Sequence, residues 1–246
     1  MPNKLGIVRV GCAGWSLPKE HGDSFRSEGT HLARYADRLP AVEINSSFYR
    51  PHRPATYSRW AESVPTDFVF SVKVPKVISH ERRLVDAHDA LDSFLAAVTQ
   101  LGSRLGPLLV QLPPSLSFSA EIAERFFAAF RDRFGDAVAV EPRHASWFGP
   151  VAERLLQKYR VSRVAADPPV VPVAAEPGGW DDLVYYRLHG SPKVYYSAYS
   201  DEELEDLAKK LTQAARSVAV WCVFDNTAVG AATANALNVL GRLASD

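Results

Sequence analysis

The amino-acid sequence predicts a single (β/α)₈ TIM barrel, one domain over residues 1–246. Eight short runs rich in β-branched and apolar residues recur along it, and segments with helical spacing lie between most of them. The repeat advances in steps of roughly 30 residues, the length of one βα unit. Strand alternating with helix implies parallel pairing, and eight such units close into a barrel more readily than they spread into an open sheet.

The first run is Val8–Cys12 and the second Ala41–Asn45. Pro54 then suits the first turn of a helix that carries Tyr57 and Trp60, because its missing N–H is one that a helix start leaves unbonded. Phe68–Lys73 follows, and after it Leu91, Phe94, Leu95, Val98 and Leu101 recur at steps of three and four, as one apolar helix face does. Leu108–Gln111 precedes a second such face, Ile122, Phe126, Phe127 and Phe130. The fifth and sixth runs are Ala137–Glu141 and Val161–Asp167. Three prolines in 168–172 and Pro177-Gly178-Gly179 leave little room for a helix after the sixth, so an extended crossover is expected there. Leu183–His189 is the seventh run. Ser200 with Glu203 three residues later is a capping-box pattern that opens the next helix, whose face is Leu204, Leu207, Ala208 and Leu211. Val218–Asp225 completes the set.

Composition narrows the function classes. Hydrophobic residues make up 47% and charged residues 23%, enough for one large core. The 28 basic and 28 acidic side chains leave a formal net charge of zero, without the basic excess of a general nucleic-acid binder. Arg82 and Arg83 beside His80 form the one dense basic spot, so a nucleic-acid partner is the weaker expectation and stays open. No apolar stretch reaches the roughly 18 residues that a membrane span needs. Met1-Pro2-Asn3-Lys4-Leu5-Gly6 runs directly into the first strand without a leader-like apolar segment. Cys12 and Cys222 lie far apart in apolar runs, as buried reduced thiols of a cytoplasmic protein do.

The active site of such a barrel lies at the C-terminal ends of its strands, and polar residues concentrate there. Side chains alternate with period two along a strand, so Glu43 shares a face with Asn45, Ser71 with Lys73, and Arg187 with His189. Gln111, Glu141 followed by Arg143, Asp167, and Asp225-Asn226 close the other runs. Burying this many ionisable groups costs several kcal/mol each unless they are paired, so their clustering at one end points to a site.

Several of these segments match one known pattern in order. They are Gly11-Cys12-Ala13-Gly14-Trp15-Ser16, Val42-Glu43-Ile44-Asn45-Ser46-Ser47-Phe48-Tyr49-Arg50, and Phe70-Ser71-Val72-Lys73-Val74-Pro75. Ser79-His80-Glu81-Arg82-Arg83-Leu84, the stretch from Gly106 to Pro114, and Glu141-Pro142-Arg143-His144-Ala145-Ser146-Trp147-Phe148 follow. Tyr186-Arg187-Leu188-His189-Gly190 and Phe224-Asp225-Asn226-Thr227 complete the match. The chain thereby resembles the YecE-like family, domain of unknown function 72, over nearly its whole length. The resemblance implies a barrel fold and brings no settled activity with it. Asp225 departs from the pattern, standing where Asn is expected and adding a negative charge beside Asn226.

The leading expectation is an enzyme that acts on a small anionic or carbohydrate-like substrate by carboxylate and lysine acid–base chemistry. Glu43, Glu141, Asp167, Lys73 and His189 are the catalytic candidates. Lys73 can clamp an anion, form a Schiff base, or pair with Glu43 or Glu141. Asn45, Tyr49, His80, Gln111, Arg143, Trp147, Arg187 and Asn226 are the candidates for binding substrate, the two arginines because their planar forks fit carboxylate or phosphate. No cofactor is predicted and no metal ligands are assigned. A divalent-metal-dependent hydrolase or isomerase is the first alternative, and a non-catalytic barrel that binds a nucleotide or RNA is the second.

Overall fold

Each of the eight runs forms a strand. The computed structural model of the chain describes residues 6–244; Met1 to Leu5, on which the reading of the N-terminus rests, lie outside the described residues. The strands are β1 (Val8–Cys12), β2 (Ala41–Ile44), β3 (Val69–Lys73), β4 (Leu105–Gln111) and β5 (Val138–Glu141). The sixth run is divided into β6 (Val161–Arg163) and β7 (Ala165–Asp167), and β8 (Gly178–Gly179), β9 (Leu183–Leu188) and β10 (Ala219–Phe224) follow. The helices are α1 (His31–Ala36), α2 (Pro54–Glu62), α3 (His88–Val98), α4 (Ala120–Arg133), α5 (Pro150–Lys158), α6 (Asp201–Ala214) and α7 (Ala231–Leu243). Pro54 occupies the first turn of α2, and Ser200 with Glu203 forms the full capping box of α6. The fourth strand starts earlier than its β-branched core because Gly106 can lie against Trp221, where a Cβ would meet the indole at 2.6 Å.

The ladders form two sheets, ordered β1-β10-β9-β7 and β2-β3-β4-β5-β6-β8, and every pair is parallel except β6 with β8. A mixed α/β fold with two parallel-rich sheets is therefore what the hydrogen bonds describe, in place of the one closed barrel expected. The two sheets meet at two seams. At the first, β1 and β2 share a single parallel bridge, Ala13 with Glu43. The Tyr35 hydroxyl replaces the missing rungs: it accepts from the Cys12 N–H at 2.8 Å and donates to the Ala41 carbonyl at 3.0 Å. Gly11 lets the strands come this close, since a Cβ there would stand 2.0 Å from the Ala41 oxygen. At the second seam the chain itself crosses over. β6 pairs with β5, β7 pairs with β9, and the partner changes at Val164.

The crossover after β7 carries a short 3₁₀ turn, Pro172–Ala175, and no α-helix. Buried Arg163 pins it, donating from Nη1 to the Val173 and Glu176 carbonyls while its Nε holds Glu153 at 2.5 Å. The space a helix would fill is a cavity of about 270 Å³ between β7, β9 and α6.

Alternation along the strands divides the core. Val10, Val42, Val72, Val110, Val140, Cys222 and Phe224 pack between strands and helices. Ala41, Leu109, Ala139, Val164, Ala166, Tyr185, Trp221 and Val223 form a second, separate cluster on the other strand face. In it the Tyr185 and Trp221 rings stack with centroids 6.0 Å apart.

Tyr35→Phe leaves the buried Cys12 N–H and Ala41 carbonyl without their shared partner. It lowers the unfolding free energy by about 1–3 kcal/mol with an unchanged denaturant slope, measured by urea titration. A loss below about 0.5 kcal/mol contradicts the role given to this hydroxyl.

Candidate functional site

β9 climbs from the apolar layer into a charged one in two-residue steps. Tyr185 lies deepest, within hydrogen-bond distance of Glu43 Oε2 (3.0 Å) and Ser71 Oγ (2.9 Å). Arg187 comes next, fully buried, and His189 follows just beyond the strand end.

Arg187 is the hub. Its Nε and Nη2 donate to Glu43 Oε2 and Oε1 at 3.0 and 2.8 Å, a two-pronged match of fork to carboxylate. Nη1 donates to Glu141 Oε2 at 3.1 Å, and Nη2 lies 3.0 Å from Asp225 Oδ2. His189 sits between two of the same acids, with Nε2 2.8 Å from Glu141 Oε1 and Nδ1 3.0 Å from Asp225 Oδ2. Ionised carboxylates only accept, so both ring nitrogens donate and the ring is an imidazolium. Arg143 Nη1 and Gln111 Nε2 donate to the remaining sides of Glu141 at 3.0 and 3.2 Å.

Titration behaviour follows from these contacts. Burial acts to raise the Glu141 and Asp225 pKa values, yet the cations beside them prevail: His189, Arg187 and Arg143 for Glu141, Arg187 and His189 for Asp225. Both carboxyls are held below their ordinary range. Burial acts to lower His189, and Glu141 and Asp225 overcome it, so its pKa is raised.

Lys73 differs from all of these. Its side chain is 5% exposed, its Nζ stands 4.1 Å over the Phe48 ring, and its carbonyl accepts from Ser47 Oγ. Among the described residues no carboxylate forms an ion pair with it, so pairing with Glu43 or Glu141 is not what the structure shows. Burial and the nearby Arg187 charge push its pKa down to about 8, with the surrounding carboxylates offsetting only part of the effect. His80 packs edge-on against Phe48 at 4.8 Å, and its Nδ1 lies 2.9 Å from the Ser79 Oγ. Burial and the Lys73 charge lower its pKa, which favours neutral imidazole.

The charges can be counted. Glu43, Glu141 and Asp225 face Arg187, Arg143 and the His189 imidazolium, three against three. Lys73 is the surplus cation.

The remaining candidates lie elsewhere. Asp167 points away from this cluster, accepts the Tyr199 hydroxyl at 2.6 Å and lines the crossover cavity. Asn45 leaves the extended conformation (φ −85°, ψ −21°) and lines a separate cavity of about 300 Å³ with Trp15, Ser16 and His31, where its Oδ1 is buried without a partner. Asn226 Nδ2 ties the Ser197 carbonyl to the Asn235 side chain, both at 2.9 Å. Trp147 is buried core, donating to the Leu116 carbonyl and packing on Phe118. Tyr49 is 69% exposed. In the basic spot, Arg82 is engaged by Asp89 and Arg83 by Ser115. Two members were not among the candidates. Tyr185 lies two residues before Arg187 and Asp225 two residues after the inward Val223, so strict period-two reading reaches both.

A family model described as "Protein of unknown function DUF72" matches residues 9–246. The chain is 30% identical over 168 residues to UPF0759 protein YecE of Escherichia coli (strain K12). That match covers 65% of this chain and 59% of the relative, so it spans about three fifths of that relative's length. A DUF72 family protein from Enterococcus faecalis V583 superposes with a TM-score of 0.78 at 26% identity, over 97% of this chain and 96% of that one. One from Thermotoga maritima MSB8 gives 0.79 at 25% identity, over 97% and 99%.

Because His189 binds its proton more tightly in the folded chain, it stabilises the fold below the ordinary histidine pKa of about 6.5. That contribution is lost as pH rises through the raised folded value. The gap in unfolding free energy between the wild type and His189→Gln therefore narrows as pH is taken from about 6 to about 9. A gap that stays flat or widens contradicts an imidazolium between two carboxylates.

Proposed function

The chain belongs to the DUF72 family, and we propose that it is an enzyme acting on a small anionic or polyhydroxylated substrate, with the Lys73 amine moving the protons. The observation that carries this reading is a buried lysine without an acid to pair with, at the C-terminal end of β3, beside a cluster whose other charges are mutually engaged.

The acid–base role thereby passes from the carboxylates to the lysine. Glu141 and Asp225 are held ionised, and proton exchange at pH 7 favours a group whose pKa lies close to that pH. Lys73, at about 8, is such a group. Arg143 is the anion-binding candidate: only its Nη1 has a partner among the described residues, Glu141, and its side chain is 19% exposed. Arg187 is fully buried, with its fork turned to three acids. In this reading it positions Glu43, Glu141 and Asp225 and does not meet the substrate. The metal-dependent alternative has to compete with the same contacts, since the lone pairs of those acids face the protein's own cations.

The proposal includes the finer architecture. The two sheets are read as parts of one TIM barrel in a single domain, with the Ala13–Glu43 bridge at one seam and the continuous run 161–167 at the other. Two buried free cysteines suit a cytoplasmic setting.

Lys73→Met removes an amine that is disfavoured in its charged form inside the fold, so the thermal midpoint stays level or rises. Turnover, found by screening sugar phosphates and small organic acids, falls by about 10²–10⁴-fold in that variant. In the wild type the rate rises with pH as the ammonium loses its proton near 8. A variant that turns over at the wild-type rate refutes the assignment.

A further inference from the structure

We infer that Lys73 forms an iminium with the carbonyl carbon of a small substrate that also carries one carboxylate or phosphate, and that Arg143 takes the anionic group. The inference rests on the reading of Lys73 above and deepens it, from proton transfer to a covalent step with a stated substrate class.

Four features converge on this. An amine attacks a carbonyl through its lone pair, and a neighbouring cation or an apolar pocket frees that lone pair by making the ammonium form less stable. Lys73 has both: it is buried, with 5% of its surface exposed, and the buried Arg187 guanidinium acts against its charge. Second, no carboxylate pairs with Nζ among the described residues, so the nearby acids favour the proton there only from a distance. Third, His80 packs on the Phe48 ring that also faces Nζ, and in the tautomer whose Nδ1–H donates to Ser79 Oγ its Nε2 keeps a lone pair that can take a proton. Fourth, the surplus positive charge on Lys73 matches one negative charge on the ligand. A lysine built only to hold an anion by charge has no use for surroundings that drive off its proton.

The step balances without an outside reagent. His80 takes one proton from the Lys73 ammonium, and the exposed lone pair forms a C–N bond as the carbonyl π electrons move to oxygen. That oxygen collects two protons, the one returned by His80 and a second from the same nitrogen, and leaves as water. Ammonium plus carbonyl has become protonated imine plus water, with the single positive charge kept at Lys73. Hydrolysis reverses the sequence. The iminium then withdraws electrons from the neighbouring carbon, which eases loss of a proton or cleavage of a carbon–carbon bond there.

The test is reductive trapping on the intact chain. The protein is incubated near pH 8 with pyruvate or glyoxylate, reduced with sodium borohydride, digested and mapped by mass spectrometry. The inference expects one stable secondary amine per chain, on Lys73. Arg143→Gln should raise the probe concentration for half-maximal trapping by about tenfold, the loss of one charge-assisted contact. Adduct scattered over the surface lysines, or none on Lys73, overturns the inference. Lys73→Arg keeps the charge and cannot form the imine, and its thermal midpoint shows whether the fold is intact. Calorimetric binding of oxalate to the wild type and to Lys73→Arg separates the two claims. Anion binding without trapping refutes the iminium and leaves the acid–base reading standing, whereas loss of both refutes both.

Discussion

Placing the Arg187 guanidinium out of water removes a full positive charge from its hydration shell, at a cost of several kcal/mol. The protein offsets it with carboxylates from three separate strand ends, Glu43 after the middle of β2, Glu141 closing β5 and Asp225 just past β10. Those three negative charges then have to be matched in turn. His189, trapped between two of them, becomes an imidazolium, and Arg143 covers the last free side of Glu141. The same demand reaches down into the apolar layer, where the Tyr185 hydroxyl meets Glu43. Each group is tolerable where it is because of the others, so the cluster fixes the relative positions of strands that do not share a ladder.

A consequence of this closure is what it leaves over. A network neutral in itself surrounds a lysine that none of its acids is free to pair with. Burial disfavours the Lys73 charge most, Arg187 adds to that, and the engaged carboxylates offset only part of the two together. The proposed reactivity of Lys73 thus rests on its burial and on neighbours that are engaged with one another. A cluster with one acid more would hold the proton on Lys73, and one cation fewer would let an acid turn toward it.

Much of this was legible in the sequence because a strand has only two faces. Ser71 with Lys73, and Arg187 with His189, follow from alternation once the apolar residues between them are assigned to the helices. Asn45 breaks the rule because its backbone turns out of the strand, so it leaves the face of Glu43. Asp167 could not be oriented, since apart from Arg163 the residues before it from Val161 are small or apolar on both faces, and Val164, where the pairing partner changes, decides which side Ala166 and Asp167 take. Trp147, a candidate for binding substrate, instead donates its indole N–H inward to the Leu116 carbonyl and packs as core. The division into two sheets was also out of reach. It depends on the Tyr35 hydroxyl standing where backbone rungs would lie at one seam and on the change of partner at Val164 at the other, and side-chain patterning carries no sign of either.

The central claim concerns one proton on one nitrogen. An NMR pH titration of the intact protein, carrying lysine labelled with ¹³C at Cε and with Lys73 assigned by loss of its signal in Lys73→Arg, reads that proton directly. The account predicts a midpoint near 8 for Lys73. A midpoint at the ordinary lysine value of about 10.5 would contradict it, because the cluster would then be holding Lys73 as one more structural cation.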